Sequence, residues 1–343
     1  MPKRSTIKQV ARIAGVSIQT VSRVLNDRPD VSPETRLHIQ QIIGELGYRP
    51  SALARSLIQR RSHTLGVVSA GLRFDGPSRT LNGITSRADE LGYTVLFKEQ
   101  REFTNTPAEL LIQTLLSHQV DGIIWAVPEV GDNRDWVDKG LISLQIPIIF
   151  LTMEYRPNLS IVSYDNFQGA KMATEHLLEQ GYKHIAHISG PLDWWESRQR
   201  KAGWQATLEQ AGIEVQESHW IEGNWSATGV ETLFPQLLKQ YPGMDAVFAA
   251  NDQMALSVIK SASQAGIDIP TRLGVVGFDG LSETAYYTPS LTTVAQNQYL
   301  LGCTAVEQIA QEIEHFHKEG AATPPQSTIL QTELLVRHSS TGR

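Results

Sequence analysis

One cysteine, Cys303, stands in 343 residues, so the chain cannot close an internal disulfide. That usage fits a reducing cytoplasm. No apolar run approaches the roughly 20 residues that a membrane helix needs. The amino-terminal Met-Pro-Lys-Arg has no apolar stretch behind it, so a signal peptide is not expected. The sequence also lacks a P-loop, a Gly-x-Ser-x-Gly, a His-Glu-x-x-His and a Gly-x-Gly-x-x-Gly, so no enzyme class is suggested. Histidines are present, but in poor geometry for a metal. His184 and His187 would point to opposite faces of a strand, and His315 and His317 would diverge on a helix. No metal and no cofactor are expected.

The overall charge is −6, which taken alone argues against nucleic acid. Its distribution argues the other way. Residues 1–61 hold eleven Lys and Arg against four Asp and Glu, a net of +7, and the rest of the chain carries −13. A basic head on an acidic body is the asymmetry of a protein in which one domain touches phosphate.

The head reads as a DNA-binding unit. Ile7, Val10, Ala11 and Ala14 fall on one helical face behind Thr6, a plausible N-cap. Gly15 can take the left-handed conformation that ends the helix. Ser17 caps a second short helix with a buried face of Val21, Val24 and Leu25. Two short helices joined by a tight Gly-containing turn make a helix-turn-helix, whose second helix can enter a major groove. A third helix starts at Ser32, with Pro33 at N1 and Glu34 at N2, and buries Ile39, Ile42, Ile43 and Leu46. Gly47 ends it. Ser51 to Ile58 is helix-prone but too short to be stable alone.

After residue 64 the pattern alternates. Strands are expected at Leu65–Ala70, Tyr93–Phe97, Asp121–Ala126, Ile146–Leu151, Ser160–Tyr164, His184–Ser189, Ala246–Ala250, Leu273–Phe278 and Leu291–Ala295. Amphipathic helices fall between most of them. Apolar strands alternating with such helices imply parallel sheets covered on both faces. Nine strands are many for one doubly wound sheet, so two lobes are expected. Ligands of such folds sit at the carboxyl ends of strands. Those ends carry Ser69, the Gly190-Pro191-Leu192-Asp193-Trp194-Trp195 turn with Arg200 beyond it, Asn251, Asp279 and Gln296, while Trp225 sits in a loop. Polar groups beside indoles suit a sugar. Trp204, next to Gly203 inside a helix, is expected in the core instead, and one of Trp194 and Trp195 to reach the cleft.

Val16-Ser17-Ile18-Gln19-Thr20-Val21-Ser22-Arg23-Val24-Leu25-Asn26, Val31-Ser32-Pro33-Glu34-Thr35 and Gly47-Tyr48-Arg49-Pro50 resemble the lactose-repressor/galactose-repressor (LacI/GalR) family of bacterial transcription regulators. In the body, Asn251-Asp252-Gln253-Met254-Ala255, Val276-Gly277-Phe278-Asp279 and Pro289-Ser290-Leu291-Thr292-Thr293-Val294 match equally well. The resemblance implies an N-terminal all-α helix-turn-helix domain at 1–50 and a hinge helix and linker at 51–61. It implies an α/β core of two doubly wound lobes, periplasmic-binding-protein-like, at 62–343. The first lobe takes about 62–163 and 294–325, the second about 164–293 and 326–338.

It further implies a repressor that binds near-palindromic operator DNA as a homodimer under control of a small sugar. Carried over by position, Ile18, Gln19 and Arg23 would face bases. Thr6, Ser17, Thr20, Ser22, Asn26, Ser32 and Thr35 would contact phosphates, and Ala54 and Leu57 would enter the minor groove. Ser69, Trp194, Trp195, Arg200, Trp225, Asn251, Asp279 and Gln296 would form the effector site. The chain departs from many relatives at Gly71-Leu72-Arg73-Phe74-Asp75-Gly76-Pro77 and in the Trp194-Trp195 pair. Two alternatives fit less well. A sugar-transport component would fit the core alone, but not the helix-turn-helix. An enzyme such as a sugar kinase would need the phosphate loop that is missing.

Overall fold

The computed structural model describes residues 5–25, 27–48, 61–100, 103, 108–140, 146–321 and 323–342. Asn26 and most of the expected hinge, Ala54 and Leu57 with it, lie outside the described residues. The chain divides into two compact units, Met1–His63 and Thr64–Arg343.

The first unit is three helices, α1 (Ile7–Ile13), α2 (Ile18–Leu25) and α3 (Pro33–Glu45). Each begins at a hydroxyl cap. Thr6 accepts from Gln9 N at 3.3 Å, Ser17 from Thr20 N at 3.1 Å and Ser32 from Thr35 N at 3.3 Å. Such caps satisfy amides that the helix itself leaves unpaired, typically about 1 kcal/mol each. Gly15 takes φ +66° in the turn between α1 and α2, a conformation open to glycine without steric cost. Val10, Ala11, Ala14, Val21, Val24, Ile39 and Ile42 form a small core, with Ile7, Val16, Leu25, Ile43 and Leu46 packed around it. Arg36 ties α3 to the preceding loop through Asp27 Oδ1 (2.6 Å) and the Arg28 carbonyl.

The second unit holds two six-stranded sheets. The first is built from β1 (Thr64–Ala70), β2 (Thr94–Gln100), β3 (Gly122–Ala126), β4 (Ile148–Leu151), β5 (Ser160–Tyr164) and β11 (Ser327–Leu330), in the order β11-β5-β4-β3-β1-β2. All its pairs are parallel. The second takes β6 (Ile185–Ser189), β7 (Trp220–Glu222), β8 (Ala246–Ala249), β9 (Gly274–Asp279), β10 (Thr292–Ala295) and β12 (Glu333–Leu335), in the order β12-β10-β9-β8-β6-β7. Only β12 runs antiparallel there. Helices α4 (Asp75–Glu90), α5 (Ala108–Ser117), α6 (Asp135–Gly140) and α11 (Gln298–Glu319) belong with the first sheet. Helices α7 (Asn166–Glu179), α8 (Trp195–Gln210), α9 (Ala227–Gln240) and α10 (Asp252–Gln264) belong with the second. Strands β3, β5, β6 and β8 are buried along their whole length, as expected of parallel strands covered on both faces.

The chain crosses between the sheets three times, after β5, after β10 and between β11 and β12. The sequence reading places these crossings near 163, 293 and 325. The third differs. Ser327–Leu330 pairs in parallel with β5, Ser327 opposite Ile161, and so belongs to the first sheet, not the second. A four-residue strand carries no signal for which sheet edge it will cover. Long-range pairing decides that.

Candidate functional site

On α2, Ile18, Gln19 and Arg23 are all exposed, Ile18 at 43%. An open apolar side chain at the start of a helix, beside an amide and a guanidinium, is free to meet base edges. Arg23 Nε rests 3.5 Å from Asp30 Oδ2. Both groups are solvated, and a pair of this kind contributes no more than about 1 kcal/mol. Exchanging Asp30 for a base edge is therefore inexpensive. Thr6, Ser17 and Ser32 are the exposed caps themselves. The Ser17 and Thr20 hydroxyls pair at 2.9 Å, and Ser32 Oγ donates to Thr35 Oγ1 at 2.8 Å. Ser22 is half-buried on α2.

The second unit contains a cleft that takes residues from both sheets. From the first come Phe74, Asp75, Pro77 and Thr80 at the start of α4, Pro128 after β3 and Leu151–Thr152 after β4. From the second come Trp194, Glu196 and Arg200 of α8 and its lead-in, Trp225, Asn251, Asp279 and Leu281. Gln298 and Leu301 of α11 complete it. These positions are mostly the carboxyl ends of strands or the helix turns that follow them.

Of the expected effector residues, Trp194, Arg200, Trp225, Asn251 and Asp279 stand together on the wall. Ser69 does not. It is buried and donates to the Ala126 carbonyl at 3.3 Å. Trp195 also lies off the wall, its amide donating to the Glu129 carbonyl at 3.0 Å. Gln296 sits behind the wall as a partner of Arg200. Trp204 has no exposed surface and donates Nε1 to the Ile185 carbonyl.

Arg200 organises the polar end. Nε donates to Asn166 Oδ1 at 2.8 Å, Nη1 to the Ala250 carbonyl at 2.5 Å and to Asp279 Oδ1 at 3.4 Å, and Nη2 to Gln296 Oε1 at 3.3 Å. Its guanidinium carbon lies 3.9 Å from the centroid of Phe278. A rigid, multiply bonded guanidinium of this kind fixes the groups around it. Gln298 Nε2 donates to Gln296 Oε1 at 2.9 Å, and Thr80 Oγ1 donates to Gln298 Oε1 at 3.0 Å, so the network continues across to the first sheet's helices. Asn251 serves twice: Oδ1 caps α10 at Met254 N (2.8 Å) and Nδ2 donates to the Trp225 carbonyl (3.0 Å).

Burial dominates the titration of this site. It pushes Asp279 up to about 6, against the pull of Arg200. It pushes Asp252, just behind the wall, up to about 8, helped by the Asp279 charge, although Thr293 Oγ1 and Leu281 N both donate to it. Glu196 is raised to about 7, again by burial first. Asp279 (φ +112°) and Trp225 (φ +65°) hold backbone conformations that side chains rarely adopt. Such strain costs about 1–3 kcal/mol per residue and concentrates at ligand sites.

The apolar end is aromatic. Trp194 meets Phe74 at 6.0 Å, Phe103 at 4.8 Å and Trp225 at 5.7 Å between centroids, each edge to face. A short bridge locks this mouth. Val130 pairs with Trp194 as an antiparallel β-bridge, and Gly131 N donates to the Asp193 carbonyl at 2.8 Å. Glu196, Asp75 and Gln298 do not stand out in the sequence, although Glu196 precedes Arg200 by four, the spacing that puts both on one helix face. Among the described residues no group of three or more His, Cys, Asp or Glu is arranged to hold a metal. None of the described helices is long and apolar enough to cross a membrane.

Two compact units, a helix-turn-helix and a two-sheet ligand cleft, define a class of protein that joins a DNA-reading head to a small-molecule receptor. Comparison with known proteins agrees. Residues 6–51 match the family described as bacterial regulatory proteins, lacI family, and residues 174–340 match the periplasmic binding protein-like domain. The chain is 31% identical to the lactose operon repressor of Escherichia coli K12 over 340 residues, covering 99% of this chain and 93% of that protein. It is 32% identical to catabolite control protein A of Priestia megaterium, covering 89% and 92%. Among solved structures, the lac repressor dimer bound to operator and the anti-inducer ONPF superposes with a TM-score of 0.86 at 30% identity, over 99% of this chain and 100% of that one. A CelR–cellobiose complex superposes with a TM-score of 0.71 at 29% identity, over 98% and 100%. The chain belongs to the lacI family of bacterial regulatory proteins.

Proposed function

We propose that this protein is a cytoplasmic, homodimeric transcriptional repressor. It binds a near-palindromic operator through the first unit, and a small sugar or glycoside in the cleft sets its operator affinity. One observation carries this reading. The same chain holds an exposed Ile18-Gln19-Arg23 face on a capped, independently cored helix-turn-helix and a cleft that pairs a fixed guanidinium–carboxylate network with indole faces. A transport component needs no groove-reading helix. An enzyme needs groups poised to react, and Arg200 and Asn251 are instead spent on holding the wall. Asn26, Ala54 and Leu57 join the proposed DNA contacts by position in the family.

Arg23→Ala tests the head. A bidentate Arg–guanine contact discriminates by about 1–3 kcal/mol. The variant is expected to lose roughly ten- to a hundredfold in affinity for a selected operator duplex, while its binding to random duplex, carried by phosphate contacts, falls far less. Fluorescence anisotropy on both duplexes at fixed salt measures the difference. An equal loss on the two would remove Arg23 from base reading.

A further inference from the structure

Within the effector reading, and resting on it, one residue stands out. Glu196 lines the cleft, is 9% exposed, and its Oε2 has no hydrogen-bond partner among the described residues. Trp225, facing the same cleft, likewise leaves its buried Nε1 unpartnered. Buried polar atoms are nearly always paired, so an unpartnered carboxylate oxygen on a cleft-lining residue marks a place for a ligand donor. The charge balance narrows the ligand. Among the described residues the cleft wall carries three carboxylates, Asp75, Glu196 and Asp279, and one cation, Arg200. That cation is already committed to Asn166, Ala250, Gln296 and Asp279. Among the described cleft-lining residues no uncommitted cation is present to receive an anion.

We propose that Glu196 selects the charge class of the effector. It accepts a hydroxyl from a neutral saccharide and excludes sugars bearing a phosphate or a carboxylate. An anion brought beside this carboxylate meets repulsion in a desolvated site, where like charges are costly. A hydroxyl donor meets an acceptor that nothing else in the cleft satisfies.

A proton linkage follows. Burial holds the Glu196 carboxyl near 7, with Arg200 on its own helix and Arg134 on the first lobe pulling it down and Glu129 on that lobe pushing it up. A hydroxyl that donates to the carboxylate favours the ionised form. Effector binding near pH 7 therefore releases protons, and affinity rises as pH goes from 6 to 8.

The test uses the full-length protein. A thermal-shift screen compares cellobiose, lactose, maltose, galactose and ribose with cellobionate, galacturonate, glucose 6-phosphate and ribose 5-phosphate. Calorimetry in two buffers of different ionisation enthalpy then follows the best ligand on wild type and on Glu196→Gln. The proposal expects a neutral sugar as the best ligand, with net proton release. Glu196→Gln should bind it about ten- to a hundredfold more weakly, the range for a hydrogen bond to a charged group. The variant should also lose the buffer-dependent heat and gain measurable affinity for the anionic counterparts. An anionic sugar as the tightest ligand of wild type overturns the proposal and leaves the sugar-effector reading standing. So does a neutral sugar that binds wild type and Glu196→Gln alike. If no saccharide in either set binds, the sugar-effector reading itself fails.

Discussion

Arg200→Leu is expected to abolish effector binding and to destabilise the second unit by about 3 kcal/mol, because buried acceptors are left without their donor. The size of the effect comes from what is left behind. Asn166 Oδ1, Gln296 Oε1 and the Ala250 carbonyl each lose a donor, and Asp279 loses the cation that opposes its burial. Leucine supplies none of these bonds and places no guanidinium over the Phe278 ring. Denaturant melts and calorimetry with the effector measure the two losses separately. A variant that melts like wild type would mean that the network contributes little, and that Arg200 is a ligand contact alone.

Gly302→Val is expected to cost about 3 kcal/mol or more, at the upper end for overpacking a well-filled core. A Cβ at Gly302 would overlap the Thr80 carbonyl oxygen and lie 2.7 Å from Ile84 N, and both of these are α4 backbone that cannot rotate away. The reciprocal position is equally tight, since a Cβ at Gly83 would run into the Tyr299 carbonyl. Helices α4 and α11 can accommodate valine only by separating. Thr80, Gln298 and Leu301 lie on these same helices and line the cleft, so effector affinity should fall together with stability. Guanidinium melts of the Ala and Val variants give the graded cost. A neutral Val variant would show that the two helices are not held at backbone contact.

Much of this architecture is legible in the sequence because its signals are local. The three hydroxyl caps and Gly15 fix the helix-turn-helix within a few residues of each helix start. Apolar runs such as Ile-Ile-Trp-Ala in β3 and Ile-Val-Ser in β5 announce strands buried on both faces. What escapes is set by long-range geometry. Strand β7 has three residues and β11 four, too short for any pattern, and their sheet edge is chosen by pairing partners far along the chain. Helix α9 carries Pro235 in its interior, which reads as a helix breaker. At the cleft, Arg200, Asn251 and Asp279 follow strand ends or a marked turn and are visible from the sequence. Glu196 reads as an ordinary charge in the first turn of a helix until the lobe bearing Glu129 and Arg134 closes over it. Ser69 and Trp195 go the other way. Both sit at the right place in the chain, but the pleat turns Ser69 under β3, and the bridge at Val130 leaves Trp194, not Trp195, at the mouth.

In the proposed function the two units are coupled, so that a ligand in the cleft changes what the head does to DNA. Such coupling requires that the ligand bind two arrangements of the protein unequally, typically by 1–3 kcal/mol. The most direct test selects duplexes from a random pool with the full-length protein. It then titrates the selected operator with and without a saturating neutral saccharide, on wild type and on Arg200→Leu. The expected result is a near-palindromic winner and an operator affinity that the saccharide shifts about five- to 150-fold in wild type and leaves unmoved in the variant. An operator affinity identical with and without a saccharide that demonstrably fills the cleft would contradict it.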